Sequence, residues 1–148
     1  MLPLLGVAWG RIDTMRSTTI QVRTGATARV RDLTSECARF AAENADGLLN
    51  VFVPHATAGV AIIETGAGSD DDLLTVLDGL LPRDGRWGHR HGSSGHGRDH
   101  LLPAFLAPST SVPVVGGRLQ LGTWQSICLV DTNVDNAERT VRLSFLAG

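Results

Sequence analysis

The sequence predicts a single α+β domain with a mostly antiparallel, β-sandwich-like core and two to three helices. Short segments that alternate apolar and polar residues recur along the chain, which is typical of strands with one buried face. Other segments place their apolar residues at helical spacing. The chain has 148 residues, of which 43% are hydrophobic. Its length therefore suits one ordinary domain, and its composition can supply a core.

The first half of the chain predicts two strands, a helix and two further strands. Alternating or apolar runs place the strands at residues 18–24, 26–31, 48–55 and 58–63. Gly25 separates the first two, which we expect to pair as a hairpin. Residues 34–47 predict a helix, because they are rich in alanine and end in the stop signal Asp46–Gly47.

The second half predicts a long loop between two helices, followed by strands. Residues 69–82 form the first of these helices, with Ser69 and Asp72 at the spacing of a capping box. The stretch 85–98 is rich in glycine and histidine and predicts a loop, and 99–107 predicts a short helix. The remaining strands are a hairpin over residues 112–122 that turns at Gly116–Gly117, and two segments over 125–131 and 138–146.

The N-terminal segment is predicted to lie outside the domain. We expect residues 1–14 to be a poorly ordered extension of a domain that spans residues 15–148, with Met15 as an alternative start. The opening apolar run is ten residues long, whereas a transmembrane helix needs about 20. It has no basic segment before it, so neither a signal peptide nor contact with a membrane is predicted.

Charge and cysteine content narrow the partners and the compartment. The net charge is -2 and aromatic residues make up 5% of the chain, so no basic field or stacking platform for nucleic acid is predicted. Cys37 and Cys128 are far apart and form no CxxC motif. They indicate buried thiols in a reducing compartment, which for this protein would be the cytoplasm.

Histidines are concentrated in one short stretch. Four of the five histidines lie within residues 89–100, and neutral imidazole is the commonest metal ligand. His96 and His100 are four residues apart, as on one face of a helical turn, and the glycines between His91 and His100 allow the loop to bend. A metal site is the sharper interpretation, and an ordinary histidine-rich surface loop is the alternative.

Two residues near the predicted strand 58–63 are further candidates. His55 follows Pro54 at the end of the preceding strand, and the small residues after it leave room for a ligand. Glu64 ends strand 58–63, where a carboxylate can orient a ligand histidine or act as a general base. The alternative is that Glu64 is an exposed acid at a strand end.

Hydroxyl and amide groups offer a candidate binding surface for a polar substrate. In the phrase GTWQ, Thr123 and Gln125 would share one face of an extended segment. Ser109 and Ser111 precede the predicted hairpin. Such groups can bind phosphate, although each of them can equally form local hydrogen bonds.

Taken together, these segments resemble the YjbQ-like family. The resemblance covers roughly residues 16–148 and depends on the order of its parts: PHATAGVAIIE, then Arg90–His91, then His100 before a leucine-rich helix, and then GRLQLGTWQ. Ala56–Thr57 stands where the family pattern usually has Thr-Ser. His89 and His96 are outside that pattern, so the resemblance gives them no role.

The resemblance implies an α+β fold, a homotrimer and a divalent metal, which we expect to be zinc, with magnesium as the alternative. Carried over by position, its metal ligands are His55, His91 and His100, and Glu64 is its strand-end acid. It implies a thiamine-phosphate-synthase-like transferase that joins a pyrimidine pyrophosphate to a thiazole phosphate, either as its main activity or as a side activity.

Three functions remain open from the sequence. In the transferase, Arg90 and the hydroxyls of residues 109–111 would hold phosphate, with Arg90 and Glu64 as the catalytic candidates. The second function is a metal-dependent hydrolase of a small phosphorylated or acyl substrate. The third is a non-catalytic metal-binding trimer in which the histidines contribute stability.

Overall fold

The structure is a computed structural model that describes residues 15–148, so the predicted extension over residues 1–14 lies outside it. Within this range there are three α-helices and eight strands, with one 3-10 turn over His96–Arg98. The elements in chain order are β1 Arg16–Arg23, β2 Arg29–Asp32, α1 Thr34–Ala42, β3 Gly47–Phe52, β4 Ala58–Ile63, α2 Ser69–Leu80, α3 Leu102–Phe105, β5 Ser109–Val115, β6 Arg118–Leu119, β7 Ser126–Asp131 and β8 Glu138–Ala147.

The strands form two sheets that enclose the main core. One sheet has the order β1-β8-β3-β5-β6 and the other β2-β7-β4, and every pairing within residues 15–148 is antiparallel. Leu49 and Val51 of β3 are fully buried on the inner face of the larger sheet, and Ile127 and Leu129 of β7 are fully buried in the same core cluster. The predicted α+β class with a sandwich-like core is confirmed.

Strand β7 is buried on both of its faces. Ile127 and Leu129 belong to the core between the sheets, whereas Val130 packs against Leu77 of α2 and Leu102 of α3. Helices α2 and α3 therefore cover the outer face of the smaller sheet. The loop between these two helices carries the histidines. His96 and His100 share a cavity with Asn133, which lies two residues after β7, so the histidines lie beside the carboxyl end of this strand. None of the helices in the described range is long and apolar enough to span a bilayer.

The predicted hairpin of the first two strands is wrong. Val22 of β1 pairs with Arg139 of β8, whereas Val30 of β2 pairs with Val130 of β7, so the two strands belong to different sheets. Alternation determines which face of a strand is buried but not which strand lies beside it. The hairpin at Gly116–Gly117 is confirmed, since both glycines have positive φ.

Both long helices differ from their predicted ends. Helix α1 ends at Ala42, and Gly47, predicted as its stop, instead begins β3. Helix α2 begins after Gly68, whose φ of 99° is left-handed, and no side chain caps it. The predicted capping box at Ser69 is therefore wrong, because the glycine turn provides the entry to the helix.

Candidate metal centre

The loop between α2 and α3 folds back on itself at two glycines. Gly92 and Gly95 have φ values of 78° and 73°, which residues with a Cβ rarely adopt. A Cβ on Gly92 would lie 2.7 Å from a carboxylate oxygen of Asp135 and 3.0 Å from the ring of His96. Glycine at this position therefore lets the loop close tightly over the His96 ring.

This fold brings four imidazoles together. One ring nitrogen from each of the four lies within 4.8 Å of the others. We call this group the histidine centre; its members are His89, His91, His96 and His100. The Nε2 atoms of His96 and His100 are 2.9 Å apart. Ring centroids are 4.0 Å apart for His89 and His91 and for His89 and His100.

The donor set fits a tetrahedral ion. Zinc binds imidazole nitrogen at about 2.0–2.1 Å, so nitrogens around it lie about 3.3 Å from one another. The 2.9 Å between the Nε2 atoms of His96 and His100 and the 4.8 Å limit for the whole group bracket this value. Magnesium prefers oxygen ligands and an octahedral shell, so an all-nitrogen set suits zinc better.

Two carboxylates, that of buried Asp99 and that of exposed Asp135, lie beside Nδ1 of His96. This Nδ1 lies 2.8 Å from Asp135 Oδ2 and 3.7 Å from Asp99 Oδ2, although its N–H is not aimed well enough at either oxygen for a hydrogen bond. Two carboxylates beside Nδ1 favour the tautomer protonated there. The lone pair of Nε2 then faces His100. A hydrogen bond from the backbone N–H of Ser93 holds the pKa of Asp135 below its usual range.

Asp99 anchors the loop between His96 and His100. Its side chain is fully buried and accepts hydrogen bonds from Arg83 at 3.0 and 3.1 Å and from Thr132 at 2.8 Å. Arg98 adds a longer contact of 3.4 Å. Arg83 and Thr132, which lie outside the 3-10 turn, thus hold the turn in place and fix the backbone that carries His96 and His100.

Two histidines of the centre have lowered pKa values. Burial, followed by repulsion from the neighbouring imidazoles, lowers the pKa of His100, and the same causes in the same order lower the pKa of His89. His89 and His91 are exposed, His100 is half-buried and His96 is buried. Neutral imidazole is the form that binds metal, and the two exposed rings leave the histidine centre open to solvent.

His55 lies across a small cavity from the histidine centre. This side cavity has a volume of about 200 Å³, and its polar lining includes His55, His91, His96, His100, Asn133 and Arg139. His55 Nε2 accepts a hydrogen bond of 2.9 Å from the backbone N–H of Thr140. Burial, followed by the charge of Arg139, lowers the pKa of His55.

Of the three predicted ligands, His91 and His100 belong to the histidine centre, whereas His55 borders the same cavity without being one of the four. Arg90 is exposed and lines a second space of about 350 Å³, which we call the outer groove, together with Trp87, His89 and His96. The histidine centre therefore borders two cavities. Arg90 and His55 border different ones.

Glu64, Thr123 and Gln125 lie at the other end of the smaller sheet. Glu64 directly follows Ile63, which pairs with Ser126 at the start of β7, whereas the histidine centre lies beyond the end of β7. The six-residue strand separates the two ends by about 17 Å. Gln125 Oε1 accepts a local hydrogen bond of 2.8 Å from the backbone N–H of Gly122.

Ser109 and Ser111 lie on the outer face of the larger sheet. They pair with Phe52 and Asn50 of β3, and both serines are exposed. The hydroxyl of Ser111 is 3.1 Å from the Asn50 side-chain amide, which donates to it. Neither serine borders the side cavity or the outer groove.

Several polar residues of the site are not found by sequence reasoning. The sequence gives His89 no role and indicates His96 only by its four-residue spacing from His100, and it assigns Asn133, Asp135 and Arg139 to a polar turn and a strand. The sequence does contain one indication of them: the polar segment DTNVDN stands at the end of an apolar strand, where functional side chains are common. Asp131 bonds Arg139 through both carboxylate oxygens, at 2.7 and 2.9 Å, and Arg139 is almost fully buried.

Comparison with known proteins identifies the family. The sequence profile of the UPF0047 protein YjbQ-like family matches residues 18–148. The chain belongs to the YjbQ-like family. A UPF0047 protein of Mycobacterium tuberculosis (strain ATCC 25618 / H37Rv) is 67% identical over 120 residues, which cover 81% of this chain and 90% of that protein. The UPF0047 protein YugU of Bacillus subtilis is 34% identical over 116 residues, covering 74% and 83%.

Solved structures of YjbQ-like proteins share the fold. A YbjQ-like protein of unknown function from Sulfolobus solfataricus P2 superposes with a TM-score of 0.84 at 26% identity, covering 91% of this chain and 99% of that one. A hypothetical protein from Aeropyrum pernix K1 gives a TM-score of 0.82 at 33% identity, covering 90% and 99%. The YjbQ-like fold predicted from the sequence is thereby confirmed.

Proposed function

We propose that this protein is a metal-dependent enzyme that acts on a small phosphorylated substrate. One observation carries the proposal: four imidazole nitrogens lie within 4.8 Å of one another beside two cavities. A group of four histidines with Asp135 and Asp99 beside one of them has the composition of a metal site and its outer support. A histidine-rich surface loop without a ligand would have no need of a fully buried carboxylate such as Asp99 beneath it.

The proposed ion is zinc, held by His96 and His100 with one or both of His89 and His91. When bound, zinc would act as a Lewis acid that neutralises negative charge developing on a phosphoryl leaving group. His96 and His100 are anchored by the buried network around Asp99. His89 and His91 are exposed at the rim, so an ion held by His96, His100 and one of them would leave a position for substrate.

The reaction that the family resemblance implies is the joining of a pyrimidine pyrophosphate to a thiazole phosphate, and two separate cavities beside the histidine centre are compatible with two substrates. In this reaction the thiazole nitrogen forms a bond to the pyrimidine methylene carbon, and the carbon–oxygen bond to pyrophosphate breaks, with its electron pair leaving on pyrophosphate. The side cavity and the outer groove would each hold part of one substrate beside the histidine centre. Arg90 in the outer groove would bind phosphate.

A second candidate is hydrolysis of a small phosphorylated or acyl compound. The size of the side cavity favours it, since about 200 Å³ lies below the roughly 300–1,000 Å³ of pockets that enclose drug-sized ligands. A single head group fits such a cavity, and water would then replace the second substrate.

The test uses the full chain purified without a histidine tag. Its zinc content is measured, and turnover is followed with the two thiamine precursors together, with each alone, and after treatment with a chelator. We expect at least one zinc per chain and turnover that stops with the chelator and returns with added zinc. Turnover of a phosphate ester or lactone alone would assign the hydrolase instead. A shell closed by all four histidines without any turnover would favour the non-catalytic metal protein.

The homotrimer and the cytoplasmic location are also proposals. Leu48 and Leu146 pair directly across β3 and β8 and are both exposed, with exposed Phe52 on the same strand as Leu48. This apolar face of the larger sheet would be covered by other copies of the chain, and light scattering of the purified protein tests the mass. The two free buried cysteines, Cys37 and Cys128, favour a reducing compartment.

A further inference from the structure

We propose that the side cavity binds a phosphoryl group through three nitrogen donors: His55 Nδ1, Asn133 Nδ2 and Arg139 Nη1. This inference rests on the proposed function, because it names the substrate group that would lie beside the metal and the residues that would hold it. It also assigns His55 a role in binding substrate rather than metal. The sequence pattern instead favours phosphate at Arg90 and at the hydroxyls of residues 109–111, which border other surfaces.

The hydrogen bond of His55 determines where its proton lies. Nε2 accepts from the backbone N–H of Thr140 at 2.9 Å, so this nitrogen carries no proton, and a neutral imidazole must then carry it on Nδ1. A metal on Nε2 would break the bond to Thr140, and a metal on Nδ1 would require an imidazolate. His55 is therefore a fixed N–H donor, and its Nδ1 has no hydrogen-bond partner among residues 15–148.

Asn133 provides an unpaired amide in a fully buried position. Its Oδ1 accepts a hydrogen bond of 2.6 Å from the backbone N–H of Asp135, which fixes the orientation of the amide. Its Nδ2 is buried and has no partner in the part of the chain that the structure describes. A buried N–H without an acceptor is unfavourable, and this residue lines the side cavity. The missing partner is therefore an acceptor in the cavity.

Arg139 contributes a nitrogen that its buried partner leaves free. Asp131 takes the Nε and Nη2 atoms of Arg139 at 2.7 and 2.9 Å. The same carboxylate also accepts from the Thr24 hydroxyl and from the backbone N–H of Asn133. Asp131 thus has its acceptor sites filled and holds the guanidinium plane in place. Nη1 makes no hydrogen bond to any residue in 15–148, and Arg139 lines the side cavity.

The lining of the side cavity matches an anion. No carboxylate belongs to the described residues that line it, whereas imidazoles, amides, a guanidinium and the Thr57 hydroxyl do. A bound zinc would add positive charge at one wall. Three donors that come from three separate segments suit a phosphoryl group with three terminal oxygens. A planar carboxylate would instead be matched by two parallel N–H groups of one arginine, and Asp131 occupies that edge of Arg139.

The test measures binding of inorganic phosphate to the zinc-loaded full chain by isothermal titration calorimetry, with the metal-free chain in a parallel series. Asn133→Asp keeps the acceptor for the backbone N–H of residue 135 but replaces the amide donor by a negative oxygen. We expect it to weaken phosphate binding at least tenfold in both series. The exposed Gln120→Glu makes the same change of charge at the sheet edge and should leave binding unchanged.

A second pair of variants tests His55. It also keeps the inference testable if circular dichroism shows that Asn133→Asp does not fold. His55→Asn keeps a donor near the position of Nδ1 and should retain phosphate binding within about threefold, whereas His55→Phe removes the donor and should weaken it at least tenfold. Both should keep the wild-type zinc content. Loss of zinc from His55→Asn would overturn the assignment, because His55 would then be a ligand.

Further outcomes separate this inference from the proposed function. If phosphate binds the zinc-loaded wild type and the zinc-loaded Asn133→Asp variant equally well, it binds to the metal, and the inference is overturned while zinc binding stands. If phosphate binds a chain that takes up no zinc and Asn133→Asp abolishes that binding, the inference is supported, and the proposal that the protein depends on a metal is wrong. Acetate that displaces phosphate at equal concentration overturns the assignment to a phosphoryl group.

Discussion

Replacing Asp99 by asparagine should destabilise the protein strongly, because the anchor of the histidine loop is a buried charge. Asp99 is fully buried, and each of its oxygens accepts from Arg83, while Oδ1 also accepts from Thr132 and Arg98. An asparagine keeps the shape, but in either orientation its NH₂ group faces a donor. Arg83 and Arg98 also lose the negative charge of the carboxylate with which both of them pair.

The size of the effect follows from the surroundings of the two arginines. Breaking a buried ion pair costs about 3–5 kcal/mol. The Arg83 side chain is 28% exposed, and Arg98 retains its contacts with Asp78 and the Leu81 carbonyl, so we expect the lower end, about 3 kcal/mol. An unfolding entropy of about 2.1 cal/mol/K per residue converts this, over the chain, to a fall in Tm of about 10 °C.

The measurement is thermal and urea unfolding of the metal-free Asp99→Asn variant beside the wild type. Asp84→Asn is the matched control, since Asp84 pairs with Arg86 in the same loop but its side chain is 43% exposed, and the Tm of this variant should not change measurably. If the Tm of Asp99→Asn falls by less than about 2 °C, the reasoning is refuted, because a desolvated carboxylate with three donors cannot be replaced at so small a loss of stability. The variant should also bind zinc more weakly, because the turn that carries His96 loosens.

Three further predictions concern the histidines and Glu64. His96→Ala should lower zinc affinity by at least about 100-fold in a competition titration with a chromophoric chelator, whereas His55→Asn should not change it. Glu64→Gln should leave zinc affinity unchanged in the same titration, since Glu64 lies at the opposite end of β4; a loss of zinc would contradict the separation seen within one chain. The metal-free protein should lose stability as the pH falls below about 6.5. Burial lowers the pKa of His55 and His100, so the unfolded chain binds more protons over this range. Unfolding by urea at several pH values measures this, and a stability that is constant from about pH 7 to about pH 5 would count against it.

The elements of the fold were largely predictable, whereas their partners were not. The apolar run over residues 58–63 predicted β4 with its observed bounds, and the glycine pair at 116–117 predicted its turn. The pairing of β1 with β8 is a contact between the two ends of the chain. Such a contact depends on which faces fit together once the core has formed, and a local pattern contains no record of it.

The site was predictable in part for a similar reason. The spacing of His96 and His100 is local, and it indicated correctly that both rings can lie on one side of a turn. Asn133 and Asp135 reach the site from a segment that follows α3 and three further strands, and only the folded chain brings them to the loop. The same holds for the separation of His55 from Glu64, which are close in sequence but lie at opposite ends of β4.

The sequence by itself determined the family, the α+β class and the concentration of imidazoles, because composition, periodicity and the order of motifs are properties of the chain. The tertiary structure decided which nitrogens face one another, which carboxylates support them and which donors are left unpaired. These properties depend on distances of a few ångströms between segments that are remote in sequence. Only the packing of the two sheets and the closure of the glycine-rich loop set those distances.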